Sequence, residues 1–244
     1  MKAISSMATR HVLADLVEAA VSAGLPTVQI ESTGGVDAAR RVAGGEQFDL
    51  VFLAEDALGR LANDGHVDAL SVTPLLLSQV AVAVASGTDE PAAPPAGVAF
   101  PDAGGVREAL MRATLIGYST GPSGTALVRS IEDWGLADEL SDRLVQARPG
   151  VPVARLLAAG EVDLGFQQLS ELVGQPGVRI LGVLPSDCEI VTVFGGAVAT
   201  TSTDRVMARS ILEYLASDAA AAVRTAHSFQ TPAHSGLQGQ PSKR

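Results

Sequence analysis

The sequence predicts an α/β protein of two mixed lobes joined by a double hinge, and three observations carry that prediction. Short apolar strands alternate with amphipathic helices along nearly the whole chain, the pattern of βα units. Four turns rich in Ser, Thr, Gly or Pro each precede a helix, three of them directly after a strand. Two apolar runs, 72–85 and 189–199, are too long for average strands and read as crossovers from one sheet to another. In 244 residues of which 47% are hydrophobic there is apolar surface for one large core or two modest ones, and the alternation favours two.

In order, residues 2–5 form a first strand that ends in the polar turn Ser5-Ser6-Met7-Ala8-Thr9-Arg10. The next helix places Val12, Leu13, Leu16, Val17, Ala20 and Val21 on one face, and Gly24 followed by Pro26 ends it. Residues 28–30 are the second strand. They run into a second polar turn at 31–37, where Ser32, Thr33, Gly34 and Gly35 precede a helix containing Ala38, Ala39 and Val42. Residues 48–53 are a continuous apolar strand of the kind buried in parallel sheets, and 56–61 the following helix. The first crossover, 72–85, is broken only at Thr73-Pro74 and Ser78-Gln79. Segment 87–97, with Pro91, Pro94 and Pro95, reads as a surface loop of the second lobe.

A helix over 106–113 leads into the stretch that organises the chain, 113–131. It reads as a short strand up to Tyr118, a Ser/Thr/Gly turn, and a helix opening at 123–125. The hydroxyls of Ser119, Thr120, Ser123 and Thr125 can donate, while Gly121 and Gly124 let backbone N–H groups approach a ligand at a positive helix end. No lysine follows the last glycine, so this is not a nucleotide-gripping Walker loop. After a short helix at 137–143 comes the fourth turn, Arg148-Pro149-Gly150-Val151-Pro152, then a helix. A strand over 162–166 delivers Gln167, Gln168 and the run to Glu171. The second crossover, 189–199, is followed by helices over 203–217 and 218–226. The first lobe is thus expected over 1–78 and 196–230, the second over 79–195, and a polar, disordered tail over 231–244.

Composition limits the partners. A net charge of -10, a pI near 4.8 and few Lys or Arg clusters exclude a nucleic-acid surface, while a local nest of N–H groups still suits a small anion. Cys188 is the single cysteine, which leaves no internal disulfide and no cysteine cluster for zinc. Neither metal nor cofactor is expected, and the chain is expected to be a monomer. No apolar stretch approaches the roughly 18 residues needed to span a bilayer. The chain as written opens on a strand without an apolar leader, so the expectation is a cytoplasmic protein, or a periplasmic or extracellular one whose leader has been removed.

The order of elements, with turns at Ser5-Ser6, Ser32-Thr33-Gly34-Gly35, 119–125 and 149–152, resembles the type II periplasmic solute-binding proteins up to about residue 226. Within them it is most similar to the molybdate-binding branch, which also contains aconitate isomerase. The resemblance implies a cleft where helix N-termini and hydroxyls of both lobes close on an oxyanion, and an ABC-transporter permease as partner of an exported binder. Ser5 or Ser6, and Ser32, match the two serines of the family's first lobe. The second lobe departs: Gly121-Pro122-Ser123-Gly124 replaces the family's Pro-Ala-Gly turn, and Phe166-Gln167-Gln168 stands near its ligand tyrosine. That departure brings a carboxylate-bearing ligand in beside molybdate. The run Gly165-Phe-Gln-Gln-Leu-Ser-Glu171 is compatible with the isomerase subgroup.

The candidate ligand residues are therefore Ser5, Ser6, Thr9, Arg10, Ser32, Thr33, Gly34, Gly35, Ser119, Thr120, Ser123, Gly124, Thr125, Val151, Gln167 and Gln168. Arg10 can clamp a carboxylate or simply lie on the surface one turn into its helix. Gln167 and Gln168 can read ligand oxygens at a strand end or cap the next helix. Tyr118 reads as core. Glu31, Asp37 and Glu171 are either bases or servants of a helix dipole, and His11, His66, His227 and His234 show no metal or triad spacing.

Overall fold

The computed structural model describes residues 1–232. In its first part β1 (Lys2–Ser6), α1 (Arg10–Ser22), β2 (Gln29–Thr33), α2 (Gly35–Ala43), β3 (Leu50–Ala54) and α3 (Glu55–Asn63) form parallel βα units, with β1 paired to both β2 and β3. All five residues of β3 are buried, as a strand covered by helices on both faces requires. In α1 the buried stripe is Val12, Leu13, Leu16, Val17 and Ala20. Val21 was expected on it and is 40% exposed, because 100° per residue carries it past the stripe's edge. The second polar turn is also shorter than its composition suggests. Pairing with β1 continues to Ser6↔Thr33, so Glu31, Ser32 and Thr33 are strand and Gly34 alone links them to α2.

From there the chain crosses. β4 (Thr73–Ala85) is followed by α4 (Ala103–Arg112), β5 (Ile116–Tyr118), α5 (Pro122–Asp133), α6 (Ala137–Leu140), β6 (Leu144–Gln146), α7 (Val153–Ala158), β7 (Leu164–Gln168), α8 (Leu169–Leu172) and β8 (Val178–Val183). β9 (Val191–Val198) returns, and α9 (Arg205–Ala216) and α10 (Ala221–Ala226) follow. The sequence assigns no element at β6, which is only three residues long, or at β8. The strand order is β2-β1-β3-β9-β4-β7-β5-β6, with β8 paired to β4. β4 is antiparallel to β9 along its first half and to β7 and β8 along its second, so it belongs to both parts of the sheet.

The apolar cores divide on the same lines. One pair of clusters lies under α1, α9 and α10 on one face and α2 and α3 on the other. The second pair joins α4 and α5 to one face of β5 and β7, and α7 and α8 to the other. Gly117 and Gly165, neighbours in the β5–β7 register, let α7 lie directly on the sheet. A Cβ on Gly165 would stand 2.7 Å from Leu157 and 2.8 Å from Val153. On the face shared by α5 and α9, Leu76 and Phe194 belong to the first core and Val80 and Ile190 to the second. Between them sits a buried polar rung, Ser78 opposite Thr192.

The chain touches β4 once more near that rung. Leu77 and Gln230 exchange backbone hydrogen bonds of 2.8 and 2.9 Å, and the Gln230 amide donates to Gln79 Oε1 at 2.9 Å. Arg224, fully buried, fastens this segment by donating to the carbonyls of Leu215 (2.6 Å) and Ser217 (2.9 Å) and to Thr231 Oγ1 (3.3 Å). Burial lowers its pKa, and the nearby charge of Asp218 opposes the fall. Of the tail expected over 231–244, Thr231 is bonded and Pro232 buried, while 233–244 lie outside the described residues.

Candidate functional site

The carboxyl ends of β1, β2 and β3 carry the first group of candidates. Ser5 and Ser32 are register partners with their Oγ atoms 2.7 Å apart. Ser6 lies 3.4 Å from Thr9 Oγ1, which also donates to the Ser6 carbonyl at 3.2 Å. A Cβ on Gly35 would stand 3.7 Å from the Ser6 Cβ, so the first turn of α2 closes over the first turn of the chain. Thr33 donates to Asp37 at 3.1 Å. Ser5, Ser6 and Thr9 are buried, Ser32 and Thr33 are partly covered, and Gly34 is exposed. Arg10 is exposed and donates to the His11 ring at 2.9 Å.

The carboxyl ends of β5 and β7 carry the second group. Ser119 and Ser123 are hydrogen-bonded at 2.9 Å, and Gly124 is packed against Ser119 and Tyr118. Thr120 and Thr125 are exposed, and Thr125 turns its hydroxyl back toward the Gly121 carbonyl. In the fourth turn the Val151 N–H is taken by the Arg148 carbonyl at 2.9 Å. Gln167 is spoken for on both sides of its amide. Its Oε1 accepts from the Val153 N–H at 2.8 Å, and its Nε2 donates to Glu171 at 2.7 Å. Gln168, also strand rather than turn, is buried with its Oε1 unpartnered.

The register brings the two groups face to face. Ala54, at the end of β3, stands in one row with Phe194 and Leu76, whereas Gln168, at the end of β7, pairs with Val80. Four residues of β4 separate the rows, about 13 Å at roughly 3.3 Å per residue. Both sets of strands thus point their carboxyl ends at the middle of β4 and β9, the place where open α/β sheets hold ligands.

Helix ends sharpen the picture. α1, α2 and α5 begin at this place, and none has a side-chain cap at its N-terminus. α4 and α9, which begin elsewhere, are capped by Asp102 and Asp204. A capping carboxylate stabilises a helix start by occupying its N–H donors, and it would repel an anion there. Uncapped starts leave those donors and the positive dipole end for another partner.

Two acidic candidates drop out as bases. Glu31 is held by Arg41 at 2.5 and 3.0 Å, and Asp37 is bonded by Arg40 and Thr33; these partners lower both pKa values and leave the carboxylates exposed ion-pair members. Glu171 behaves in the opposite way. Although the residue is partly accessible, its carboxyl is enclosed by protein, and this burial raises its pKa while the Gln167 amide opposes the rise. Such a group favours the fold fully below its ordinary value near 4.5, and that contribution is lost as pH rises through the higher folded value. Glu171→Gln should therefore gain stability relative to the native chain as pH rises from about 4.5 to about 7.5. Urea unfolding at both pH values checks this, and parallel curves would show that Glu171 is ionised without cost.

Among the described residues no group of three or more His, Cys, Asp or Glu is placed to hold a metal, and no helix is long and apolar enough to cross a membrane. Two shallow hollows of about 210 and 250 Å³ share Lys2, Gln47 and Phe48 in their walls, at the amino ends of β1 and β3. They are at the wrong end of the strands to concern the hydroxyl turns.

The sequence points to most of this site, but not to Ser78, Ser170 or the Val153 N–H. Only the break that Ser78-Gln79 makes in an otherwise apolar run signals the first of them. Comparison with known proteins agrees with the geometry. The chain is 33% identical over 230 residues to an aconitate isomerase of a Pseudomonas species, covering 93% of this chain and 85% of that protein. The periplasmic molybdate-binding protein of Azotobacter vinelandii superposes with a TM-score of 0.73 at 19% identity, over 96% of this chain and all of the other (100%). The sulfate-binding protein of Mycobacterium tuberculosis gives 0.69 at 17% identity, covering 94% and 85%. These structures establish the two-lobed type II binding-protein fold. Residues 2–230 match the family described as bacterial extracellular solute-binding protein, and the chain belongs to that family.

Proposed function

We propose that the protein binds a small organic anion, a di- or tricarboxylate, between a lobe of residues 1–78 and 196–230 and a lobe of residues 79–195. The observation that carries this reading is the set of uncapped helix starts at α1, α2 and α5 beside the hydroxyls of Ser5, Ser6, Ser32, Ser119 and Ser123. Backbone and hydroxyl donors suit a dispersed negative charge without a cation, as helix N-termini do for carboxylates and phosphates alike. A carbon-bodied anion is favoured over a bare oxyanion because apolar side chains flank the donors. Val36, in the first turn of α2, is 87% exposed, and Met7 follows Ser6 directly with 41% exposed. The lobes close by rotation about β4 and β9, and the bound solute is handed to an ABC-transporter permease.

A ligand held only by the folded state raises its stability by RT ln(1 + [L]/Kd), about 2.7 kcal/mol at a hundredfold excess over Kd. Thermal unfolding with citrate, tricarballylate, the aconitates, malate, molybdate, tungstate and sulfate should show an upward shift with a carboxylate. No shift with any anion, in protein shown to be folded and free of ligand, would end the proposal.

The relative named for aconitate isomerisation, together with the enclosed Glu171, favours a second reading: an isomerase on the same scaffold. Glu171 as carboxylate takes a proton from the CH2 carbon of an aconitate, the electron pair spreads over the allylic carboxylate system, and the proton returns to the former vinyl carbon. The double bond moves and nothing else is gained or lost. Deuterium entering aconitate in heavy water, abolished by Glu171→Gln, is the result this reading requires.

A further inference from the structure

Among the described residues three buried polar atoms have no partner: Ser78 Oγ, Gln168 Oε1 and Ser170 Oγ. The register collects them. Gln168 stands directly opposite Val80, and Ser78 lies two residues before Val80 on the same face of β4. Diagonal neighbours of this kind are roughly 7–8 Å apart, within reach of a side chain as long as glutamine. Ser170 follows Gln168 by two residues, in α8, the helix that leaves the end of β7. All three therefore fall where the carboxyl ends of the two strand sets face each other, near the uncapped start of α5.

Burial makes the absence of partners costly. Ser78 is 1% and Gln168 3% exposed, and a polar group so enclosed has lost its bonds to water with nothing to replace them. The chemistry of the set differs from that of the hydroxyl turns. Helix N–H groups only donate and call for negative charge. A glutamine oxygen only accepts, and a fully ionised oxyanion offers it nothing but repulsion. Two serine hydroxyls beside it can donate or accept. An acceptor flanked by two hydroxyls matches a group that both donates and accepts, an alcohol.

We infer that Ser78, Gln168 and Ser170 form a subsite for a hydroxyl group of the bound solute, so that the cleft selects hydroxycarboxylates over carboxylates lacking the hydroxyl. This rests on the anion-binding reading and narrows it. Gln168 is a specificity residue here: its Oε1 accepts from the solute hydroxyl while a serine donates to the hydroxyl oxygen.

Two pairs of acids isolate the hydroxyl, citrate against tricarballylate and malate against succinate, with carboxylate number constant within each pair. Calorimetric titration of the native chain should favour the hydroxylated member of the tighter-binding pair by ~10-fold or more, since a site built to bond a hydroxyl discriminates strongly against its absence. Gln168→Met should reduce that preference to within about 3-fold by losing affinity for the hydroxy acid, with the plain acid changed little. Ser78→Ala, a smaller change that keeps the sheet, should lower it as well. Equal affinities within both pairs for the native chain, as expected if ordered water satisfies the three atoms, would overturn the subsite and leave anion binding standing. A preference unchanged in both variants would do the same. Absence of binding by all four acids would remove the subsite, and if molybdate, sulfate and the aconitates also failed to bind, the functional reading with it. Should Gln168→Met fail to fold, the native preference and the Ser78→Ala ratio decide between these outcomes.

Discussion

Gly124→Ala is expected to destabilise the protein by roughly 3 kcal/mol, although the exchange lies inside a helix where alanine is normally the better residue. Propensity alone predicts a gain of about 1 kcal/mol. The site geometry opposes it with a larger effect. A Cβ at 124 would overlap the Ser119 carbonyl oxygen, lie 2.8 Å from the carbonyl carbon and stand 3.0 Å from the Tyr118 ring. The obstacle is mostly backbone, which cannot swing aside as a side-chain end can. Relief would have to separate the start of α5 from the end of β5, the junction that places Ser119 against Ser123 at 2.9 Å. Loss of stability should therefore come with loss of anion affinity. In a chain of this size the melting temperature should fall by about 6–12 °C. Gly59→Ala in α3 is the control, because nothing lies within 4 Å of its Cβ position. It should be neutral or stabilising by up to about 1 kcal/mol. Equal behaviour of the two variants would show that the α5 junction yields easily and that Gly124 does not fix the site.

Much of the fold is legible in the chain because its strongest signals are backbone signals. The thirteen residues of β4 follow from one apolar run, and Gly24 ends α1 with a positive φ of 92° as its place before Pro26 suggests. The hydroxyl turns announce themselves by composition, and parallel pairing then puts Ser5 beside Ser32 without further instruction. What was hidden depended on tertiary pairing. β8, VRILGV, reads as a strand only once β4 is there to receive it. Glu31 looked like a turn residue, yet nothing in the sequence near it names Arg41, ten positions on, as its partner.

The candidate site divides in the same way. Residue type and spacing identify the donors, but which donors remain free is a question of partners. Val151 and Gln167 look alike as candidates until the Arg148 carbonyl and the Glu171 carboxylate are seen to occupy them. Gln168 differs from Gln167 by one position, and the alternation of a strand sends it to the opposite face, where its oxygen finds nothing. Adjacent glutamines thus differ: Gln167 ties α7 and α8 to β7, and Gln168 keeps an acceptor that no described residue bonds.

The central claim is that one anion is held from both lobes, and lobe-specific serine pairs test it most directly. Ser6→Ala with Ser32→Ala removes hydroxyls from the first lobe; Ser119→Ala with Ser123→Ala removes them from the second. A hydrogen bond to a charged group is worth about 1.5–3 kcal/mol, so a pair that contacts the ligand should weaken binding by roughly 10²- to 10⁴-fold. Stability should change far less, because no serine among the four caps its helix through the side chain. The measurement is a calorimetric titration of the native chain and both double variants with the carboxylate that most raises the melting temperature. The account predicts 1:1 binding for the native chain and a loss of about a hundredfold or more in each variant, with both still folded. Unchanged affinity in either variant would confine the ligand to a single lobe, or place it outside the cleft, and would contradict the account.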